Sequence, residues 1–464
     1  MSWLAQTQRV IPDVKMKNIL ILVSLVLAAC STAAGASLMA NASSTVQAGR
    51  AGPAQGPTVV PRAWAPLVGA AVTDTRPVLN KWALWTNGAQ LRGADIWQRI
   101  RVPALDQNYL GDGYIGPPYS QQDFNRLAQL GANYVVLSVP GLFTERPPYQ
   151  LDVNAQTHLD QLLEQARLAD LFAVIAFRTG PGRSDFTFYR DGAGVWYPPE
   201  LLIEDVWTNQ AAQDAWVQMW RHTAQRYRGH PVVAGYEIMV EPNADEVALD
   251  IYDPQQFYPQ YAETTYDWNR MHRPIVQAIR EVDADTPILL SGMGWGSVFW
   301  LPYLQPVTAT RVVYAVHQYM PFLYTHQPVG ANRPYPGVFD VDWDNQPDTF
   351  NWGWIANYFS RLDTFAAQHP GPQTVSEFGV SRWSPGAADF MRDQMDDFER
   401  RGMNYAIWVW DSTWEPWRTW GSKAMNYLFG PDPANYTEVP NATMTVIVQA
   451  WGRNTLRPSQ FRQP

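Results

Sequence analysis

Short apolar runs alternate with amphipathic stretches along most of the chain. Candidate strands are Leu91–Ile96, Tyr134–Val139, Phe172–Phe177, Val232–Val240, Pro287–Ser291, Val312–Val316, Gln373–Ser376 and Asn404–Trp410. Between them, apolar residues recur at helical spacing: Phe124, Leu127 and Ala128 after Tyr119-Ser120; Leu159, Leu162, Leu163 and Ala166; Trp216, Trp220, Ala224 and Tyr227. Gly131 ends the first of these helices, and Ser384-Pro385 is a start signal for a later one. Ahead of the first strand, Lys81–Trp85 followed by Asn87-Gly88 predicts a hairpin. Near-continuous apolar strands between amphipathic helices predict a parallel sheet covered by helices, the α/β class. Eight strands fit a closed (β/α)₈ TIM barrel better than a doubly wound sheet, and no glycine-rich phosphate loop follows the first strand. The chemistry is then expected at the C-terminal ends of the strands.

The N-terminal segment has a different pattern. Met16-Lys17 opens a basic stretch, Ile19–Ala29 is apolar, and Leu27-Ala28-Ala29-Cys30 ends it with small residues, the layout of a secretory signal. The apolar run is short for a membrane span. Its ending resembles the bacterial lipoprotein signal, which implies lipidation of Cys30, the sole cysteine of the chain, and no disulfide. Met1–Lys15 is polar and an odd prefix to such a signal, so translation is expected to start at Met16. Residues 31–62 are rich in Ala, Ser, Gly and Pro and read as a flexible tether. The expected organisation is a signal region over 1–30, the tether over 31–62 and one catalytic barrel over 63–464. The product would be a monomer at the cell surface, touching the membrane only through its lipid anchor.

Composition narrows the function classes. A formal net charge of −9 argues against nucleic acid as a partner. Of the 22 tryptophans, about half are expected in packing and the rest as flat surfaces on which sugar rings stack. The seven histidines lack metal-ligand spacing, and no Gly-x-Ser-x-Gly elbow is present, so neither a metal nor an organic cofactor is expected.

Three strand ends carry polar groups that packing does not require. The fourth ends Tyr236-Glu237-Ile238-Met239-Val240-Glu241-Pro242-Asn243, the sixth Val316-His317-Gln318-Tyr319, and the seventh Thr374-Val375-Ser376-Glu377-Phe378-Gly379. Two carboxylates across a barrel mouth suit glycoside hydrolysis, one as proton donor and the other as nucleophile or base. Glu237 shares the strand parity of Glu241 and reads as a buried structural carboxylate.

These motifs, in this order, resemble glycoside hydrolase family 5, the cellulase family, from Asn87-Gly88 through Trp410. The resemblance implies Glu241 as acid/base and Glu377 as nucleophile of a retaining enzyme. It further implies His317 and Tyr319 as contacts to sugar and nucleophile, and Trp410 as the floor of the cleavage subsite. Trp295 and Arg178 are further candidate substrate-binding residues. The sequence departs from the family at Val240, where the family has an asparagine for the sugar 2-hydroxyl. It departs again at Val136 and Arg178, which stand where the family has arginine and histidine. A β-linked polysaccharide, glucan or mannan, is the expected substrate. The departures leave open a second possibility, an inactive barrel that binds carbohydrate at the cell surface.

Overall fold

The structure is a computed structural model that describes residues 74–462. The signal region with Cys30 and the tether therefore lie outside the described residues. Eight parallel strands close into a barrel: β1 Arg92–Trp97, β2 Tyr134–Pro140, β3 Phe172–Thr179, β4 Val233–Glu237, β5 Ile288–Ser291, β6 Val312–Gln318, β7 Gln373–Phe378 and β8 Asn404–Ile407. Each strand pairs with its neighbours in sequence, and β8 closes on β1 through Arg92 opposite Tyr405 and Ala94 opposite Ile407. The closed (β/α)₈ barrel expected from the alternation is the fold.

Helices α1 Gln121–Gln129, α2 Val153–Leu168, α3 Gln210–Tyr227, α4 Trp268–Arg280, α5 Trp352–Gln368, α6 Ala387–Arg400 and α7 Ala442–Trp451 wrap the strands. Helix α1 starts on a capping box, with Ser120 Oγ accepting from Asp123 N–H and the Asp123 carboxylate accepting from Ser120 N–H. Helix α6 begins on Gly386, in a left-handed conformation just past the predicted Ser384-Pro385 start. The connection from β5 to β6 carries only a 3₁₀ turn, Leu301–Tyr303.

Two cores follow from strand alternation. Outward residues such as Val135, Ile175, Tyr236 and Phe378 pack under the helices with Trp216, Trp220 and Trp268. Inward residues, among them Val136, Phe172, Val174, Ala176, Leu289, Val313, Ala315 and Ala406, fill the barrel. Gly93 on β1 allows close approach to β2, because a Cβ there would stand 1.8 Å from the Tyr134 carbonyl oxygen.

The predicted hairpin is absent. Ala83–Thr86 is a helical turn that plugs the N-terminal end of the barrel with Leu84 and Trp85. Trp85 Nε1 donates to the Ala234 carbonyl at 3.0 Å, and Asn404 Nδ2 to the Leu84 carbonyl at 2.8 Å. The plug caps strand ends that would otherwise expose the inner core to water, a tertiary demand that overrides the local Asn-Gly signal.

Candidate active site

Both candidate carboxylates converge at the C-terminal mouth. Glu377 sits on β7 opposite His317 of β6, and the register between these strands shifts after Val375. The shift acts as a bulge. It lets Ser376 and Glu377, adjacent in sequence, both address the barrel interior. Glu241 lies just past Glu237, the last residue of β4, in left-handed backbone with φ 53°.

His317 links the acids. Its Nδ1 is 3.0 Å from Glu241 Oε1 and 3.6 Å from Glu377 Oε2, while Nε2 is 3.3 Å from Glu237 Oε1. Ser376 Oγ donates to the same Glu237 oxygen at 3.1 Å. Tyr319 O–H donates to Glu377 Oε1 at 2.6 Å. One ligand-type atom from each of Glu241, His317 and Glu377 lies within 4.8 Å of the other two. A second group, Asp340, Asp342 and Asp348, meets in the connection between β6 and α5.

Burial sets the electrostatics. It pushes Glu377 up to about 7, with the nearby Glu241 adding to the rise and His317, Arg178 and Tyr319 opposing it. Burial works against a charged His317, yet Glu377, Glu237 and Glu241 outweigh it and hold the imidazolium well above its usual range. Asp95 on β1 is pushed far up, chiefly by burial and then by the charge of Glu377. Burial and Glu377 likewise keep the Tyr319 hydroxyl protonated, as its role as donor requires.

The raised Glu377 value makes a stability prediction. An unfolded chain keeps the ordinary value of 4.5, so between pH 4.5 and 7 it releases a proton that the folded protein retains. Stability therefore falls as pH rises through this window and levels off above it. Glu377→Gln is expected to be more stable than wild type at pH 8 by roughly 2–3 kcal/mol. The gain should fade by pH 4, as urea unfolding at the two pH values would reveal. An equal difference at both would refute it.

Arg178 ends β3 beside the acids, 4% exposed. Its Nε donates to Asp185 Oδ1 at 3.1 Å, and its guanidinium lies 3.8 Å above the Phe188 ring and 5.4 Å from that of Trp408. Trp295, half-buried on the loop after β5, donates its backbone N–H to the Pro242 carbonyl and Nε1 to Glu246 Oε2 at 2.8 Å. Its ring is 5.8 Å from Phe188, so it joins the rim on the Glu241 side. Val240 and Val136 are both buried in the inner core. Val136 pairs with Val174, two residues below Ala176, which is level with Glu237, so it belongs to the barrel filling beneath the site.

Trp410 is a correction. Its side chain is buried, with Nε1 on the Asp123 carbonyl at 3.0 Å, and its own carbonyl accepts from Tyr119 O–H at 2.7 Å. It packs against the start of α1. Strand β8 stops at Ile407, so alternation ceases to govern where Trp410 points. Trp408 carries the aromatic face beside Arg178 instead. Trp300 is likewise buried, against Phe257 and Tyr258.

Four contributors escaped sequence reasoning: Asp95, Trp408, Asp185 and Arg183. The inward parity of β1 could have revealed Asp95, and that of β8 Trp408. Asp185 and Arg183 lie in the loop after β3, where no periodicity exists to read.

Comparison with known proteins agrees with this geometry. The description "Cellulase (glycosyl hydrolase family 5)" matches residues 92–413. Endoglucanase C of Acetivibrio thermocellus is 24% identical over 235 residues, 48% of this chain and 59% of that protein. An endoglucanase of Paenibacillus polymyxa is 24% identical over 318 residues, 65% of this chain and 66% of that protein. The chain thus spans about three fifths to two thirds of the length of these relatives. The solved structure of Thermotoga maritima Cel5A with cellobiose superposes with a TM-score of 0.54 at 16% identity, covering 80% of this chain and 99% of that one, a likeness in fold. Because the matched span runs from β1 to the loop beyond β8 and takes in both convergent glutamates, the chain belongs to glycosyl hydrolase family 5, the cellulase family.

Proposed function

We propose that the protein is a retaining glycoside hydrolase that cleaves a β-linked polysaccharide, with β-glucan the favoured substrate. The observation that carries this reading is the approach of Glu241 and Glu377, with carboxylate oxygens within 4.8 Å of one another. Retention calls for carboxyl groups ~5–5.5 Å apart, whereas inversion needs ~6.5–9.5 Å to admit a water. Glu377 attacks the anomeric carbon as Glu241 protonates the departing glycosidic oxygen, leaving a glycosyl ester on Glu377. Glu241 then takes a proton from water, which attacks the same carbon and releases the sugar with Glu377 free again.

Two carboxylates this close do not both ionise readily. Tyr319 and Arg178 oppose the rise that burial imposes on Glu377 and so favour its negative charge, as a nucleophile requires. Trp408 and Trp295 offer aromatic faces to sugar rings. An intact network around both acids supports hydrolysis over the alternative of a barrel that only binds carbohydrate. The names of the relatives favour a β-glucan. Val240 motivates a second substrate, mannan: valine offers no hydrogen bond to a 2-hydroxyl, so the site loses a contact suited to an equatorial group.

The test is covalent trapping. Incubation with 2,4-dinitrophenyl 2-deoxy-2-fluoro-β-cellobioside or the corresponding mannoside should add one fluorosugar to the intact mass, on a peptide containing Glu377. No adduct with either, together with no hydrolysis of β-glucans, mannans or xylans, would favour the binding-protein reading.

A further inference from the structure

Arg183 is fully buried at 0% exposure, yet its hydrogen bonds go to backbone carbonyls. Its Nη1 donates to the Val240 carbonyl and its Nη2 to the Glu241 carbonyl, both at 2.7 Å, with Asn243 Oδ1 at 3.5 Å. The Phe188 ring lies 4.9 Å from the guanidinium. Burying a cation is costly even where partners exist, and here the second guanidinium, Arg178, lies close enough to depress Arg183 further, to about 9. A packing role alone would be filled more cheaply by an apolar side chain.

The two carbonyls explain the arginine. β4 ends at Glu237, so Val240 and Glu241 have left its ladder, although Val240 N–H still reaches the Phe177 carbonyl. Their carbonyls need other donors once water is excluded. Glu241 also holds a left-handed backbone, which a non-glycine residue adopts only when its surroundings impose it. The bifurcated reach of one guanidinium fixes both peptide planes at that residue, a task that lysine, with its point charge, performs less well.

We propose that Arg183 is a positioning residue for the acid: by clamping the Val240 and Glu241 carbonyls it sets the direction in which Glu241 presents its proton. The inference rests on the reading of Glu241 as acid/base. Proton delivery is sensitive to donor placement, and misplacement of about 1 Å costs on the order of 100-fold in rate. The loss should fall on reactions that need the proton. A dinitrophenolate departs without protonation, whereas a phenolate benefits from it.

The full-length protein carrying Arg183→Met or Arg183→Lys is assayed on 2,4-dinitrophenyl and phenyl β-cellobiosides. The ratio of kcat/KM on the dinitrophenyl substrate to that on the phenyl substrate is expected to rise about 30-fold in the methionine variant, short of the ~100-fold or more for complete loss of acid catalysis, and less in the lysine variant. This ratio does not depend on the fraction of protein folded, so a merely structural role leaves it unchanged. Equal losses on both substrates, or two variants that yield no folded enzyme, overturn the clamp alone. A wild-type protein inactive on both substrates overturns the functional reading and the clamp with it.

Discussion

Glu377→Gly is expected to lower kcat on β-glucan by on the order of 10⁵-fold, the scale seen when a covalent nucleophile is removed. The carboxylate is held in one place by the Tyr319 hydroxyl at 2.6 Å and by the bulge that turns it inward beside His317. The neighbouring carboxylates are less suited to form the glycosyl ester: Glu237 is committed to His317 and Ser376, and Asp95 is buried on β1. Glycine leaves a space where azide fits. Azide should attack an activated β-glycoside from the vacated face and give the α-glycosyl azide, with inversion at one displacement. Product stereochemistry by NMR is the measurement. A β-azide would assign Glu377 the acid/base role, and unchanged turnover on β-glucan would remove it from the mechanism.

Glu241→Ala should behave differently. On a phenyl β-cellobioside kcat/KM is expected to fall about 10³-fold, because proton donation to a poor leaving group is lost. On the dinitrophenyl analogue kcat/KM should fall far less, while kcat drops because no base activates water for the second step. Azide needs no base, so it should restore kcat and yield the β-glycosyl azide through two displacements. Steady-state kinetics with and without azide, plus the configuration of the product, decide this. The paired outcomes, α from Glu377→Gly and β from Glu241→Ala, assign the two roles independently of each other.

The stability of Glu377→Gln at high pH belongs to the same account. A site that gathers Glu237, Glu241, Glu377 and Asp95 around His317 and Arg178 opposes folding wherever a carboxylate must ionise in the interior. The clamp by Arg183 adds a buried cation to that cost. In the proposed mechanism, activity depends on groups whose removal should relax the fold, as expected for a preorganised site.

Much of this was legible in the sequence, and for physical reasons. Strand and helix periods are local, so the eight strands and their barrel closure could be read from apolar runs. Glu241, Glu377, His317 and Tyr319 were legible because the fold puts chemistry at strand ends, and packing does not call for polar residues there. Alternation misled where strands stopped or slipped. β8 ends at Ile407, which sends Trp410 into the helix layer and leaves Trp408 by the site. The Asn-Gly pair after Trp85 carried a genuine local preference for a turn, but the open end of the barrel required a plug.

The sequence by itself determined the class of fold, the order of its strands and which two glutamates stand at the mouth, because these depend on spacing within single segments. Tertiary structure alone decided how those glutamates are held. The links from His317 to Glu237, Glu241 and Glu377 join β4, β6 and β7, and Arg183 reaches from the loop after β3 to the backbone beyond β4. Such contacts depend on the distances between elements far apart in the chain, and no local pattern encodes a distance.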